Sequence, residues 1–359
     1  MRDTPGAYPR RPDLTAMEGY HSPQVDVDVR LNTNESPFAP PAEWTARLGD
    51  IARSVRWNRY PDREARELRS AIAARHGTFA DNIVVANGSN EVIQAILLAY
   101  GGQGRSMAVF EPTYQMYSQI ARVTGTGIVA GQRRDDFTID ASEMRRVTTE
   151  YAPDVTFLCN PNNPTGLVEP EALVRELMDA APGVVVVDEA YAEFAEWSAV
   201  PWVADEGRLA VTRTFSKTLS LAALRVGYAV VPDWMARDLA VTLLPYHLDA
   251  FSQAATLAAL DYVDEMEARV ALVRAERDRI STAMTGLGIT VWESGANFVL
   301  FRPAGPGAST VWSGLVERGV LVRDCSGWRG LEGCLRVTVG TPEENDAFLT
   351  ALGDVLARA

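Results

Sequence analysis

Asn163, Asp188 and Lys217 each stand just past a short apolar run, and they are separated by 25 and 29 residues, about one βα unit each. Tyr191 follows Asp188 by three residues and Arg225 follows Lys217 by eight. A lysine amine that sheds its proton attacks carbonyls, and a carboxylate raises the pKa of a ring nitrogen beside it. Gly88-Ser89-Asn90 opens a helical run, and such a helix start offers free backbone N–H groups to an anion. Taken singly, each feature has an ordinary role: a turn into a helix, a helix cap, a solvated loop lysine, an Asn/Pro-rich turn. Their order and spacing set them apart, because in an open parallel sheet the strand ends gather at one edge.

One chemistry uses all of them, that of pyridoxal phosphate (PLP). Lys217 would take the cofactor aldehyde as a Schiff base and then shuttle protons. Asp188 would keep the pyridine nitrogen protonated, so that the ring can act as an electron sink. Asn163 and Tyr191 would donate to the ring O3′, and Tyr114, at the start of a helix, would stack on the ring face. The phosphate would take the helix start at Ser89 and Asn90, with Thr214, Ser216 and a forked Arg225. Two arginines on neighbouring strands, Arg323 and Arg336, suit an anionic group on the substrate. His247, Trp312 and Trp328 read as packing, interface or surface residues.

These residues need elements to hold them. NIVVA (82–86), MAVFE (107–111), TFLC (156–159), GVVVV (183–187), LAVTRTF (209–215) and YAVV (228–231) read as short buried strands with helical text between most of them. That rhythm implies an α/β fold whose large domain has a mostly parallel central sheet flanked by helices. A helix is expected from residue 63 to Gly77, and an alternating strand at 25–30. Beyond Met235 long helical patterns (235–262, 263–287) precede short strands and a closing helix from Pro342, which reads as a smaller α+β domain. The expected division is an arm (1–36) packing with the small domain, a large cofactor-binding domain (37–247) and a small domain (248–359).

Composition narrows the classes. With 359 residues, 47% hydrophobic and a net charge of −13, the chain reads as a soluble protein without the basic face of a nucleic-acid binder. Cys159, Cys325 and Cys334 fit no metal spacing, and three histidines make a His-rich site unlikely, so no metal is expected. Arg10 and Arg11 have no apolar stretch behind them, and no apolar run reaches the ~18 residues of a membrane helix. A cytoplasmic location is expected.

The stretches NPNNPTG (160–166), VVVDEAY (185–191) and TRTFSKTLSLAALRVGY (212–228) resemble the fold-type I PLP enzymes of the class I/II aminotransferases. LNTNESPF (31–38), NRYPD (58–62), ANGSNE (86–91), EPTYQMY (111–117), LPYHL (244–248), ANFVLF (296–301) and GCLRVTVGTPEEND (333–346) are similar to the histidinol-phosphate subfamily in particular. The resemblance implies the roles given above. It also implies that Tyr60 reaches the cofactor phosphate from the neighbouring subunit of a homodimer. Arg336 would bind the substrate carboxylate, and Arg323 and Tyr20 would contact the substrate phosphate. The implied reaction is a ping-pong exchange between glutamate/2-oxoglutarate and histidinol phosphate/imidazole acetol phosphate. Aromatic amino-acid aminotransferases share almost every motif, and a phosphate-recognising PLP decarboxylase uses the same scaffold. A transcription regulator would need a DNA-binding module, and about 30 residues ahead of Leu31 are too few for a winged helix.

Overall fold

The computed structural model describes residues 8, 10–15, 17, 19, 25–204, 207–305 and 307–358. Strand β1 (Val29–Leu31) and helices α1 (Ala42–Ser54) and α2 (Arg66–His76) come first. The α/β core runs β2 (Ile83–Ala86), α3 (Ser89–Tyr100), β3 (Ser106–Glu111), α4 (Met116–Thr124), β4 (Gly127–Gln132), α5 (Ala141–Glu150), β5 (Val155–Cys159), α6 (Glu171–Ala180), β6 (Val184–Asp188), β7 (Leu209–Thr214), β8 (Gly227–Val230) and α7 (Asp233–Thr242). Then follow α8 (Ala250–Ala259), α9 (Val263–Gly286), β9 (Thr290–Val291), β10 (Phe298–Arg302), α10 (Ala308–Val316), β11 (Val320–Asp324), β12 (Leu335–Thr338) and α11 (Pro342–Ala357).

Seven strands form one sheet in the order β2-β8-β7-β6-β5-β3-β4, with only β8 running against the rest. Every residue of β5 and β6 is buried, as strands covered on both faces require. Ile93 and Leu97 of α3, Tyr117 and Ile120 of α4 and Leu239 of α7 fill one face. Ile72 of α2, Val147 of α5, Leu177 of α6 and Ala255 of α8 fill the other. A second, mixed sheet, β1-β11-β12-β10-β9, packs against α9, α10 and α11. β1 joins it parallel to β11, so the start of the chain and a late strand share one sheet.

Local details depart from expectation. The alternating text at 25–30 yields only the three residues of β1, because hydrogen bonding to β11 begins at Val29. α2 starts at Arg66 rather than 63; the Asp62 carboxylate accepts from Glu64 and Arg66 N–H and ends the preceding turn there. The helical text at 235–262 splits into α7 and α8 around Pro245, with Asp249 capping α8 at Ser252 N–H.

Candidate active site

The carboxyl ends of β2, β5, β6 and β7 face a cavity of about 400 Å³ roofed by β12 and the turn after β1. Gly227 at the start of β8 lets this edge close: a Cβ there would meet Ser89 N at 2.3 Å. Ser89, Asn90, Thr214, Ser216 and Arg225 line one end of the cavity. Thr214 Oγ1 donates to Ser216 Oγ at 3.0 Å, and Arg225 Nη1 lies 3.4 Å from the same oxygen. Arg225 itself is left-handed (φ 56°), and its guanidinium sits so close to Gly88 that a Cβ at that glycine would lie 2.8 Å from Nη2. A helix start, two hydroxyls and a guanidinium make a built anion cradle.

Lys217 stands in the middle. Its half-buried amine donates to Thr33 O at 3.0 Å and lies 5.9 Å from the centre of the Tyr191 ring. Burial, with Arg336 and Arg225 adding to it against Glu35, pulls its pKa down to about 7. At the buried end, Asp188 accepts from Thr212 Oγ1 at 3.0 Å, Ala190 N–H at 3.3 Å and Tyr117 Oη at 2.6 Å. All three donors are neutral. Burial pushes the Asp188 carboxyl up, and these hydrogen bonds oppose it.

Tyr191 Oη accepts from the amides of Asn34, at 3.0 Å, and Asn163, at 3.4 Å. With both lone pairs engaged, its own proton is left to donate into the cavity. Burial raises the Tyr191 pKa, so it stays a phenol. Asn163 Oδ1 takes Arg336 Nη1 at 2.6 Å, and Arg336 Nη2 donates to Asn32 O at 3.0 Å. Arg336 Nε is buried without a hydrogen-bond partner among the described residues. Arg323 is directly opposite Arg336 in the β11–β12 register, and its guanidinium lies 5.5 Å from the Trp328 ring centre.

An amine, a buried carboxylate with no cationic partner among the described residues and an anion cradle therefore share one cavity, and this donor set fits PLP. Tyr114 also lines it, its hydroxyl 3.1 Å from Asn90 Oδ1. One expected residue lies elsewhere. Tyr60 is 80% exposed, stacks on Tyr246 at 4.5 Å and does not line its own chain's cavity. Tyr20 falls outside the described residues. Trp312 and His247 are packing residues, bonded to the backbone at Val322 and at Val85 and Leu244.

Trp328 packs on Cys325, Leu331 and Cys334, as the sequence reading allowed, and it also lines the cavity and a second, wider one bordered by Arg122 and Arg329, a role that reading did not give it. The turn between β11 and β12, closed by Cys325 N–H to Cys334 O at 3.1 Å, carries it there. Asn34 and Tyr117 carried no individual role in the sequence reading either. The only sequence signal at Asn34 was a strand break at Asn34-Glu35-Ser36-Pro37, and the structure gives this asparagine the left-handed φ (56°) that its type tolerates.

The profile of the aminotransferase class I and II family matches residues 26–352. Histidinol-phosphate aminotransferase of Streptomyces avermitilis is 44% identical over 97% of this chain and 96% of its own length. Among solved structures, histidinol-phosphate aminotransferase from Sinorhizobium meliloti in complex with pyridoxal-5′-phosphate superposes with a TM-score of 0.89 at 24% identity, covering 98% of this chain and 99% of that one. L-threonine-O-3-phosphate decarboxylase from Porphyromonas gingivalis shares the fold at a TM-score of 0.80 and 25% identity, over 92% and 100% of the two chains. The coverage, the identity and the cavity agree: this chain belongs to the class I and II aminotransferases, within their histidinol-phosphate branch, and its cofactor is pyridoxal 5′-phosphate.

Proposed function

We propose that this enzyme passes an amino group between glutamate and imidazole acetol phosphate, giving 2-oxoglutarate and histidinol phosphate, with Lys217 holding the cofactor aldehyde and carrying the proton. The observation that carries this reading is Lys217, with its pKa drawn to about 7, in one cavity with the paired Arg323 and Arg336. When bound, the cofactor supplies a protonated ring that accepts the electrons of a broken substrate Cα–H bond. Lys217 Nζ, neutral in part at physiological pH, would take that proton from the substrate carbon and give it up again as the exchange completes. Asp188 keeps the ring nitrogen protonated, while Tyr191 and Asn163 hold the ring oxygen and Tyr114 covers the ring face. Ser89, Asn90, Thr214, Ser216 and Arg225 bind the cofactor phosphate.

Arg336 takes the carboxylate of glutamate by its forked guanidinium, and Arg323 joins it on the phosphate of the second substrate, with Tyr20 a further contact. The working unit is a homodimer in which Tyr60 reaches the neighbouring cofactor phosphate; Trp57 and Leu244, 70% and 73% exposed, flank it as apolar surface needing cover. The three cysteines are free thiols, in keeping with a reducing cytoplasm.

Half-reactions followed by the cofactor absorbance test this. Glutamate is expected to convert the holoenzyme to its pyridoxamine form, and histidinol phosphate to do so with a far higher kcat/KM than phenylalanine. Equal or better turnover of phenylalanine overturns the substrate assignment in favour of an aromatic aminotransferase. Carbon dioxide released from a phosphorylated amino acid overturns the reaction itself.

A further inference from the structure

Tyr117 is among the largest fully buried side chains of the molecule, yet its hydroxyl is aimed at the functional site. The ring is held flat against Phe157, centres 4.8 Å apart at 15°, and edge-on to Tyr114 at 5.4 Å. Both contacts fix the direction of the C–O bond. It ends 2.6 Å from Asp188 Oδ2, the shortest of that carboxylate's hydrogen bonds. Thr212 Oγ1 and Ala190 N–H occupy the other oxygen. A carboxylate has about four acceptor positions, so with three filled from the protein roughly one remains for the cavity. Tyr117 does not itself line that cavity.

We propose that Tyr117 is a positioning residue that keeps Asp188 ionised and oriented, and thereby keeps the shared proton on the ring nitrogen of the bound cofactor rather than on the carboxylate. The physical basis is a competition. Asp188 is 2% exposed, and burial without a cation favours its protonated form. A donor bonded to the charged oxygen favours the ionised form, and a hydrogen bond to an ion is worth more than one between neutral groups. The phenol keeps its proton to donate, because burial and the neighbouring Asp188 charge raise its own pKa well above the ordinary tyrosine value. Cys159, the titratable neighbour on β5, is held as a thiol with a pKa pushed up to about 12, so it adds no competing negative charge. With Tyr117 removed, the carboxylate would keep the proton and the ring nitrogen would lose its charge.

This rests on the reading of Asp188 as the partner of the ring nitrogen, and the experiment separates the two. Holoenzymes of wild type, Tyr117→Phe, Asp188→Asn and the double variant are loaded with cofactor labelled with 15N in the ring, and the 15N chemical shift is read by NMR. Phenylalanine keeps the packing against Phe157, and circular dichroism verifies the fold. Tyr117→Phe is expected to move the resonance from the protonated position toward that of a neutral pyridine, and to lower kcat about tenfold to a hundredfold with KM for glutamate little changed. In the Asp188→Asn background the same substitution is expected to shift nothing further. An unmoved resonance in Tyr117→Phe, beside a moved one in Asp188→Asn, overturns the role of Tyr117 alone. An unmoved resonance in Asp188→Asn overturns the underlying reading of Asp188.

Discussion

The amine of Lys217 sits among unlike influences: burial and two guanidiniums push its proton off, and Glu35 alone pulls the other way. With a pKa near 7 instead of 10.5, the neutral, nucleophilic fraction grows as pH rises through 7. Cofactor capture by the apoprotein is therefore expected to accelerate across pH 6–8 and then level off, followed by absorbance after stopped-flow mixing. Arg336→Met removes the larger of the two charge effects, so its midpoint must move to higher pH; a midpoint that stays or falls would contradict the cause assigned. Residues of this kind were legible in the sequence because each follows an apolar run that can only be a buried strand. Asn34, Tyr117 and Trp328 were not. Asn34 reaches Tyr191 across 157 residues of chain, and Tyr117 reaches Asp188 across 71, so no local pattern joins them.

At the level of elements, the loop from Asn160 to Glu169 must be held rigid for Asn163 to be useful. A buried ion pair does this: Arg133, just past β4, bonds Glu169, with both side chains 1% exposed. Arg133 also donates to Phe110 O and Phe137 O, and Glu169 N–H bonds Asn160 Oδ1, so the pair ties the loop's two ends to β3. Glu169→Ala leaves the guanidinium buried and uncompensated, which is expected to cost about 3–5 kcal/mol, read as a lower urea midpoint. A paired apolar replacement, Arg133→Met with Glu169→Leu, should recover most of that loss; if it does not, the cost lies elsewhere in the loop. This device was invisible in the sequence because β4 and α5 were themselves missed. GIVAGQ forms an edge strand with two glycines and mixed burial, too weak a pattern to stand out. α1 was missed as well: Trp44 is its single buried residue, so no apolar stripe announces it.

For the whole molecule, the outstanding feature is that the cavity is completed by residues far apart in the chain while Tyr60 stays outside its lining. Tyr246, on which it stacks, is 41% exposed, and Leu244, two residues earlier in the chain, is 73% exposed. In the proposed homodimer such exposed apolar side chains would be covered, and Tyr60 would stand toward the neighbouring subunit's site. Leu244→Glu is expected to yield monomers in sedimentation and to weaken cofactor retention, since a buried charge opposes association. Mixing decides whether Tyr60 acts across the interface. Tyr60→Ala and Lys217→Ala chains are each inactive alone when Tyr60 is needed. After dissociation and reassembly, the hybrid dimers hold one site with an intact lysine on one chain and an intact Tyr60 on the other. Random pairing then restores about a quarter of the wild-type sites. A Tyr60 that served its own chain would restore none, because every chain with a working lysine would lack it.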